Sequence, residues 1–486
     1  MSYKKTLITF FISFCIVSLY FTGCVKDEPI AKEITITTNS NDALKLFTEG
    51  RDVYEKMKFP QAVELFDNTI VADKNFALAY LYRAISIGDF NIAKENLAKA
   101  LGLVDKVSVG EKHLILYYEA YFDNEVVKQK QELDSLLLLY PEDKRVQNLA
   151  GTYYYGIQDY TNALKHFDKA VTIDNKYASN YNMLGYVYMR MEKFTEAEGA
   201  LKKYIELNPK EANPYDSYAE FLLTQGRYDE SIKQYEKALE IDPEFVIALL
   251  GIGNNYVFKG DYNKARNYYQ QYYDNASNIN QKFVALWWKS VTYVYENNIS
   301  EAIKILDERS KLALENNAPN YVINGNSYAG VILIENGNIA EGEKYFNNVS
   351  DFTKSAEMDF AVRKNSEIYT GLDNCHLKIL KKDFDGAEKD LEALKIEVEK
   401  RQVPNEIKYL NLIYGMLQYH KGNFGLALEY FNKADKESPY TWYWEANAQE
   451  KAGNTQEAKK IYEKIVSSNI NSMELALVRN KAIMKL

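Results

Sequence analysis

The chain has 486 residues, of which 47% are hydrophobic and 26% charged, with 23 Gly and 9 Pro. This composition is that of a folded protein and excludes a disordered, collagen-like or disulfide-stabilised chain. The net charge of −9 argues against nucleic-acid binding, because no basic surface is available to displace counterions from phosphates. Three Cys and four His provide few ligands for a metal cluster, so we expect no metal site.

The first predicted element is an N-terminal export signal. Lys4 and Lys5 form a positive start, and residues 6–21 are an apolar run of 16 residues without a charge. A membrane-spanning helix needs about 20 apolar residues, so the run is short for a span and typical of a secretory signal. Small residues then lead directly to Cys24.

The order of small residues and cysteine resembles the lipobox of bacterial lipoproteins, although Phe21 stands where that family usually has Leu. The resemblance implies cleavage before Cys24 and lipidation, including palmitate, of its sulfur and new N-terminus. We therefore expect a signal peptide at 1–23 and a tether at 24–41. The alternatives are an ordinary signal peptide or an uncleaved anchor helix.

The residue after the cysteine indicates where the lipoprotein is sorted. Val25 replaces the Asp that resembles an inner-membrane retention signal, which favours the outer membrane of the cell envelope. Residues 26–29, Lys-Asp-Glu-Pro, resemble the charged export tags of surface lipoproteins in Bacteroidetes, but a solvated tether explains them equally well. The periplasmic and the surface face of the membrane both remain open.

From Lys144 onward, similar residues recur every 34 positions. Two positions of the unit hold small residues and a third holds a bulky one. Over four successive units the first small position is Gly151, Gly185, Ala219 and Gly253, and the second is Ala163, Ala197, Ser231 and Ala265. The bulky position is Phe167, Leu201, Tyr235 and Tyr269. Tyr181, Leu184 and Tyr188 are spaced to lie on one face of a helix. A second apolar stripe follows in each unit, and Pro209 closes one of them. Each unit is therefore predicted to be a pair of helices.

The unit at 178–211 closely resembles a tetratricopeptide repeat. The resemblance implies an all-α solenoid, a right-handed superhelix of about twelve helix-turn-helix pairs with a concave face lined by the first helix of each pair. We place the solenoid at 42–471, with the best-matched repeats at 144–275 and 408–466. Residues 472–486 are predicted to form a capping helix that covers the last apolar flank.

No motif in the chain indicates catalysis or a cofactor. Gly251 and Gly253 begin like a dinucleotide fingerprint, but they lie within a predicted helix and lack the third glycine. Cys375 and His376 are adjacent, so on a helix they point about 100° apart and are expected to be structural. We therefore expect no enzyme activity, no catalytic residue and no cofactor.

A protein or peptide partner is expected in the concave groove. Tyr and Arg are the residue types that dominate binding hot spots, and several occupy first-helix positions that face the groove in the family. The candidate partner-binding residues are Arg145, Asn148, Tyr155, Asn182, Tyr186, Arg190, Asp216, Glu220, Asn254 and Phe258. Two other interpretations remain: a surface glycan-binding lipoprotein of the sugar-uptake type, and a solvated face without a ligand.

Overall fold

The computed structural model describes residues 32–486 and consists there of 25 α-helices, one 3₁₀ helix and no strand. The predicted signal peptide and Cys24 lie outside the described residues. The first twenty-four helices form twelve successive pairs, which confirms the all-α solenoid. No helix of this range is long and apolar enough to cross a membrane.

The helices of the first half of the solenoid are short. Their bounds are α1 Asn41–Glu55, α2 Phe59–Ala72, α3 Ala77–Ser86, α4 Phe90–Leu101, α5 Val109–Phe122, α6 Val126–Leu139, α7 Lys144–Gly156, α8 Tyr160–Ile173, α9 Ala178–Arg190, α10 Phe194–Leu207, α11 Asn213–Thr224, α12 Tyr228–Ile241, α13 Ile247–Phe258 and α14 Tyr262–Asp274. The 3₁₀ helix Val104–Lys106 lies between α4 and α5.

The helices lengthen from the eighth pair and shorten again near the end. Their bounds are α15 Ile279–Tyr295, α16 Ile299–Glu315, α17 Pro319–Glu335, α18 Ile339–Ser355, α19 Phe360–Leu380, α20 Phe384–Arg401, α21 Pro404–His420, α22 Phe424–Phe431, α23 Pro439–Lys451, α24 Thr455–Ser467 and α25 Met473–Ile483.

Small residues let the two helices of a pair approach closely. A Cβ atom at Gly151 would lie 2.5 Å from Phe167 Cε1, and one at Gly185 would lie 2.6 Å from Leu201 Cδ2. At Gly253 the corresponding distance, to Tyr269 Cε1, is 2.4 Å. In each pair the glycine faces the bulky residue sixteen positions later, so the three glycines occupy equivalent places and the 34-residue period is confirmed.

The first helix of each pair lines the concave face. Odd-numbered helices, which are the first helices of their pairs, contact one another: α7 contacts α9, α17 contacts α19, and α19 contacts α21. The even-numbered helices pack beside them on the outside. The apolar core runs between the two layers, because each pair covers the open flank of the pair before it.

The end of the predicted tether is not free. The backbone N–H of Ile34 donates to Asp143 Oδ2 at 2.9 Å, and that of Thr37 donates to Glu111 Oε1 at 2.9 Å. Thr38 Oγ1 also donates to Asp73 Oδ2 at 2.6 Å. These acceptors lie at or just before the starts of α3, α5 and α7, so residues 34–38 are fixed across three repeats. The tether prediction of 24–41 is corrected for this segment.

The C-terminal helix α25 covers the last pair, as expected of a cap, and also reaches an earlier repeat. It packs against α24 and α23 and against α15 of the eighth pair. Leu475 and Val478 are fully buried, whereas Ile483 is half exposed. The segment just before α25 also contacts an earlier repeat, because the Tyr228 hydroxyl of α12 donates to Asn469 Oδ1 at 2.8 Å. The C-terminal segment thus crosses the concave face.

Distant turns of the solenoid touch each other. Gln158, in the connection after α7, donates to Asp435 Oδ1 at 3.2 Å and accepts from Lys408 Nζ at 2.5 Å. Asn280 donates to the carbonyl of Gly88 at 2.6 Å. These contacts join repeats more than 190 residues apart in sequence, so the concave face encloses an interior rather than an open groove.

Candidate binding site on the concave face

The ten residues predicted from sequence lie on four first helices. Arg145, Asn148 and Tyr155 are on α7; Asn182, Tyr186 and Arg190 on α9; Asp216 and Glu220 on α11; and Asn254 and Phe258 on α13. Their surroundings differ, and they fall into three groups along the concave face.

Arg145 and Asn148 lie beside the docked N-terminal segment. The Arg145 Nε donates to Glu55 Oε1 at 2.7 Å, and its Nη1 lies 3.8 Å from Glu33 Oε2. The Asn148 amide donates to Asn180 Oδ1 at 3.0 Å. Both residues line a cavity of about 170 Å³ that Glu33 also borders. Their polar groups are therefore engaged by the chain itself.

The residues on α9 and α11 form a polar row. Tyr186 donates to Glu220 Oε2 at 2.7 Å, and Arg190 Nε donates to the Tyr155 hydroxyl at 3.3 Å. Arg190 also lies 3.6 Å from Glu437 Oε2, which belongs to the connection before α23. This row leads from the centre of the solenoid toward its C-terminal repeats.

Among the described residues, Asp216 and Asn182 lack hydrogen-bond partners that the other residues of this row have. Burial, with the neighbouring Glu220 carboxylate, raises the pKa of Asp216 to about 8. The Oδ1 atom of Asn182 is buried and has no hydrogen-bond partner among residues 32–486. Asp216 is only partly buried, and the neighbouring Glu220 is exposed to the interior of the solenoid.

Asn254 and Phe258 are covered by the C-terminal segment, so the prediction that they face an open groove is corrected. Asn254 Oδ1 accepts from Asn471 Nδ2 at 2.8 Å. The Arg479 guanidinium lies 5.2 Å from the centre of the Phe258 ring, within range of a cation–π contact. A partner would have to displace this segment to reach either residue.

A second, larger cavity on the concave face lies further along, among the C-terminal repeats. It has a volume of about 700 Å³ and is lined by α17, α19, α21 and α23, with Arg190 from α9 at one edge. Ile470, Ser472, Glu474 and Leu477 of the C-terminal segment form part of its wall. Its size is that of a ligand pocket, about 300–1,000 Å³.

Two asparagines of this cavity occupy the same position in successive first helices. Asn324 and Asn365 are each the sixth residue of their helix. Arg309 Nη1 donates to Asn324 Oδ1 at 3.0 Å, and Arg401 Nη2 donates to Asn365 Oδ1 at 2.5 Å. Arg401 is itself held by Glu406 through hydrogen bonds of 2.9 and 3.0 Å. The two amides are therefore fixed in orientation.

Tyrosines and carboxylates make up another part of the wall. The Tyr409 hydroxyl donates to Asp373 Oδ1 at 2.5 Å, and the Tyr328 hydroxyl donates to Glu474 Oε1 at 3.1 Å. Asp373 is 4% exposed, and burial raises its pKa to about 7 against the opposing hydrogen bond from Tyr409. It has no cationic partner in the part of the chain that the structure describes.

The adjacent cysteine and histidine lie behind this wall. Cys375 is fully buried, and burial raises the pKa of its thiol to about 12, which leaves it protonated. Burial lowers the pKa of His376 to about 4, and its Nε2 lies 3.6 Å from Glu335. Glu335 is ion-paired with Lys481 of α25 at 2.7 Å. The described residues contain no group of three His, Cys, Asp or Glu placed to hold a metal ion.

The cavity was missed at the sequence level because its repeats are longer than 34 residues. Asn324, Asn365 and Asn405 are separated by 41 and 40 positions, as are Tyr328, Tyr369 and Tyr409. Helices α15 to α18 have 17 residues each and α19 has 21, which explains the longer step. A repeat period of about 40 residues aligns both the asparagine series and the tyrosine series.

Comparison with protein-family models agrees with the repeat geometry. Residues 210–278 and 440–469 match models described as tetratricopeptide repeat, and residues 157–238 match the model of anaphase-promoting complex, cyclosome, subunit 3. The chain contains tetratricopeptide repeats in these two segments, 210–278 and 440–469. The matched residues fall almost entirely within the segments predicted to match best, and no curated protein matches the chain.

Solved tetratricopeptide-repeat structures resemble parts of the chain. The MamA protein is 23% identical over 34% of this chain and 91% of its own, with a TM-score of 0.29. MamA 41-end from Desulfovibrio magneticus RS-1 is 17% identical over 33% and 92%, with a TM-score of 0.29. YrrB, titled a TPR protein with an unusual peptide-binding site, is 22% identical over 46% and 98%, with a TM-score of 0.25.

Tetratricopeptide repeats typically serve protein–protein interaction through an extended concave surface. In this chain two parts of that surface are occupied internally, one by residues 34–38 and one by the C-terminal segment. The cavity of about 700 Å³ lies on the same surface and is large enough for a ligand.

Proposed function

We propose that this chain is a lipid-anchored scaffold of the bacterial cell envelope that binds an extended peptide segment of a partner protein in the cavity between α17, α19, α21 and α23. The observation that carries the peptide-binding part is the fixed orientation of Asn324 and Asn365 on neighbouring first helices.

The arginines determine which end of each amide faces the cavity. A guanidinium group only donates hydrogen bonds, so the Oδ1 atoms of Asn324 and Asn365 must face Arg309 and Arg401. The Nδ2 groups are the donors left to the cavity, and neither has an acceptor within residues 32–486. The Nδ2 groups on adjacent repeats are therefore available to donate hydrogen bonds to a ligand.

A peptide backbone supplies such acceptors at regular intervals. Packed helices lie about 8–10 Å apart, and an extended chain rises about 3.3 Å per residue, so about three residues span the two amides. Arg309 is 4% exposed and also donates to the carbonyl of Phe283 at 3.0 Å, so the geometry is present before binding. Preorganised donors reduce the entropy cost of fixing a ligand.

The glycan alternative has less support from the fold. The longest connections between helices of the described range, 102–108 and 432–438, have seven residues each. The irregular insertions that build sugar sites in the resembling uptake proteins therefore have no counterpart among these connections. Trp287 lies 4.7 Å from Tyr328 between ring centres and would report on a sugar in the cavity.

The anchoring part of the proposal rests on the sequence. Lys4, Lys5, the apolar run at 6–21 and the small residue before Cys24 support lipidation at that cysteine. A single acyl chain binds a membrane marginally, whereas two or more hold it stably. We propose the outer membrane as the site of attachment because Val25 follows the cysteine.

A displayed library of random 12-residue peptides, selected on the purified chain, tests the peptide-binding part. We expect recovered peptides to bind the Asn324→Ala/Asn365→Ala variant about tenfold or more weakly, since each lost hydrogen bond costs about 0.5–1.5 kcal/mol. Asn326→Ala, on the same helix but outside the cavity, is the matched control and should bind as the unchanged chain does.

Two results would contradict the proposal: no peptide enriched by the selection, or enriched peptides that bind both variants equally. A saturable change in tryptophan fluorescence with oligosaccharides, in the absence of peptide binding, would favour the glycan alternative. Thermal unfolding of both variants checks that the loss of one acceptor for Arg309 leaves the repeats folded.

A further inference from the structure

The cavity wall carries more negative than positive charge. Its acidic residues are Asp373, Asp435, Glu437 and Glu474, and its basic residues are Arg190 and Lys408. Of the four carboxylates, only Glu437 lies near a cation, at 3.6 Å from Arg190. Lys408 donates to the amide oxygen of Gln158 and not to a carboxylate. The wall therefore carries two more acidic than basic side chains.

Asp373 and Glu474 flank one tyrosine hydroxyl. Tyr328 donates to Glu474, and burial together with the neighbouring Glu474 and Asp373 carboxylates raises the pKa of Tyr328. The two acids come from α19 and from the C-terminal helix, and neither has an ion-pair partner among the described residues. A buried carboxylate without an ion-pair partner either takes up a proton or is stabilised by a cation that enters the cavity.

A second polar group of the wall also lacks a partner. Thr441, near the start of α23, is fully buried and lines the cavity, but its Oγ1 atom makes no hydrogen bond within residues 32–486. A hydroxyl oxygen accepts from an ammonium or a guanidinium N–H as readily as from water. Its position in the same wall as the unpaired carboxylates points to a ligand group that donates hydrogen bonds.

We propose that the cavity receives a Lys or Arg side chain of the bound peptide, with its cation held by Asp373 and Glu474. This inference rests on the proposed peptide-binding function and adds the chemistry that selects the peptide. The Asn324 and Asn365 amides hold the backbone, and the acidic wall takes the side chain. Charge-assisted hydrogen bonds are roughly twice as strong as neutral ones, so the cation contributes specificity as well as affinity.

The peptide selection described above separates the two claims. Peptides recovered with Lys or Arg enriched at a fixed position support both. Peptides recovered without such enrichment leave the scaffold function standing and overturn this inference. Failure to recover any peptide overturns the proposed function on which the inference rests.

Synthetic peptides give the quantitative test. One recovered peptide is compared with its Lys→Gln version on the unchanged chain, on Asp373→Asn and on Glu474→Gln. We expect each variant to bind the lysine peptide at least about tenfold more weakly and to bind the glutamine peptide unchanged. Asp351→Asn, an exposed residue outside the cavity, is the matched control and should change neither affinity.

Both cavity variants are expected to fold. Asn at 373 keeps an oxygen for the Tyr409 hydroxyl and removes a buried charge, and Glu474 is only partly buried. Equal losses for the lysine and glutamine peptides would contradict the inference. So would competition by Nα-acetyl-lysine-N-methylamide as strong as that of the peptide, since that result would indicate a site for small amines.

Discussion

Asn471 donates its side-chain amide to Asn254 Oδ1 at 2.8 Å and so joins segments that are 217 residues apart in sequence. The same oxygen accepts from the Tyr269 hydroxyl at 2.7 Å. The C-terminal segment and the seventh helix pair thus share one polar contact. Helix α25 continues from this contact across the interior and packs on α15.

Leu475→Ala is expected to weaken the packing of α25 against α15, α23 and α24. Leu475 is fully buried on α25, and removing such a side chain costs about 2–5 kcal/mol. Hydrogen exchange should rise in α15 and α23 as well as in α24, because all three pack against α25. Ile483→Ala, at a position 51% exposed, is the control and should leave exchange unchanged. Faster exchange in α24 alone would mean that α25 does not reach α15 in solution.

Gly251→Ala is expected to destabilise the fold by about 1–3 kcal/mol through overpacking. A Cβ atom at Gly251 would lie 2.1 Å from Cζ of the Tyr235 ring, which is buried and has no room to move. The control is Gly199→Ala, whose Cβ would meet nothing within 4 Å, and which should stabilise helix α10 by about 0.5–1 kcal/mol. Urea unfolding followed by circular dichroism measures both changes, and similar values for the two variants would refute the packing argument.

The pH dependence of stability should reveal the raised pKa of Asp216. The pKa is about 8 in the folded chain and 3.8 for an unperturbed Asp, so the folded state keeps a proton that the unfolded state has lost. Stability contributed by this residue is therefore present below pH 4 and lost as the pH rises toward 8. Asp216→Asn removes this dependence.

The stability of Asp216→Asn relative to the unchanged chain should increase between pH 5 and pH 9, by at least about 1 kcal/mol. Chemical unfolding at several pH values measures the difference. Asp229→Asn is the control: a hydrogen bond with Lys259 lowers the pKa of Asp229, so its carboxylate is ionised in both states from pH 5 to pH 9 and the difference should be flat. A flat difference for Asp216→Asn would show that its carboxylate is ionised in the folded chain throughout this range.

Cys24→Ser is expected to move the protein from the membrane fraction to the soluble fraction. The variant removes the sulfur to which the lipid would be attached, and no helix of residues 32–486 provides a span. Immunoblots of separated membranes, together with metabolic labelling by a palmitate analogue, give the measurement. Unchanged membrane retention without label would indicate an uncleaved anchor helix.

Local residue patterns made the architecture predictable from sequence. Gly151, Gly185 and Gly253 repeat because each faces a bulky side chain of the same helix pair, and this contact depends on residues only sixteen positions apart. Gly251, which begins the segment that looks like a nucleotide motif, is constrained instead by a contact between neighbouring pairs. Its missing side chain makes room for the Tyr235 ring, not for a phosphate.

The candidate site was harder to predict because it depends on contacts between distant repeats. The covering of Asn254 by Asn471 and the pairing of Arg190 with Glu437 arise from the path of the whole superhelix. That path changes where the helices lengthen after α14. The Asn324 and Asn365 positions follow the longer period, so a fixed 34-residue frame could not align them.

The fixed segment 34–38 shortens the chain between the body and the proposed lipid. Ile34 lies ten positions after Cys24, and a fully extended chain over these ten steps spans at most about 36 Å. A free linker to Asn41 would span about 61 Å over seventeen residues. An anchored molecule would hold the N-terminal ends of α5 and α7 within roughly 36 Å of the bilayer. Partners would then have to come from the layer of the envelope immediately beside the membrane.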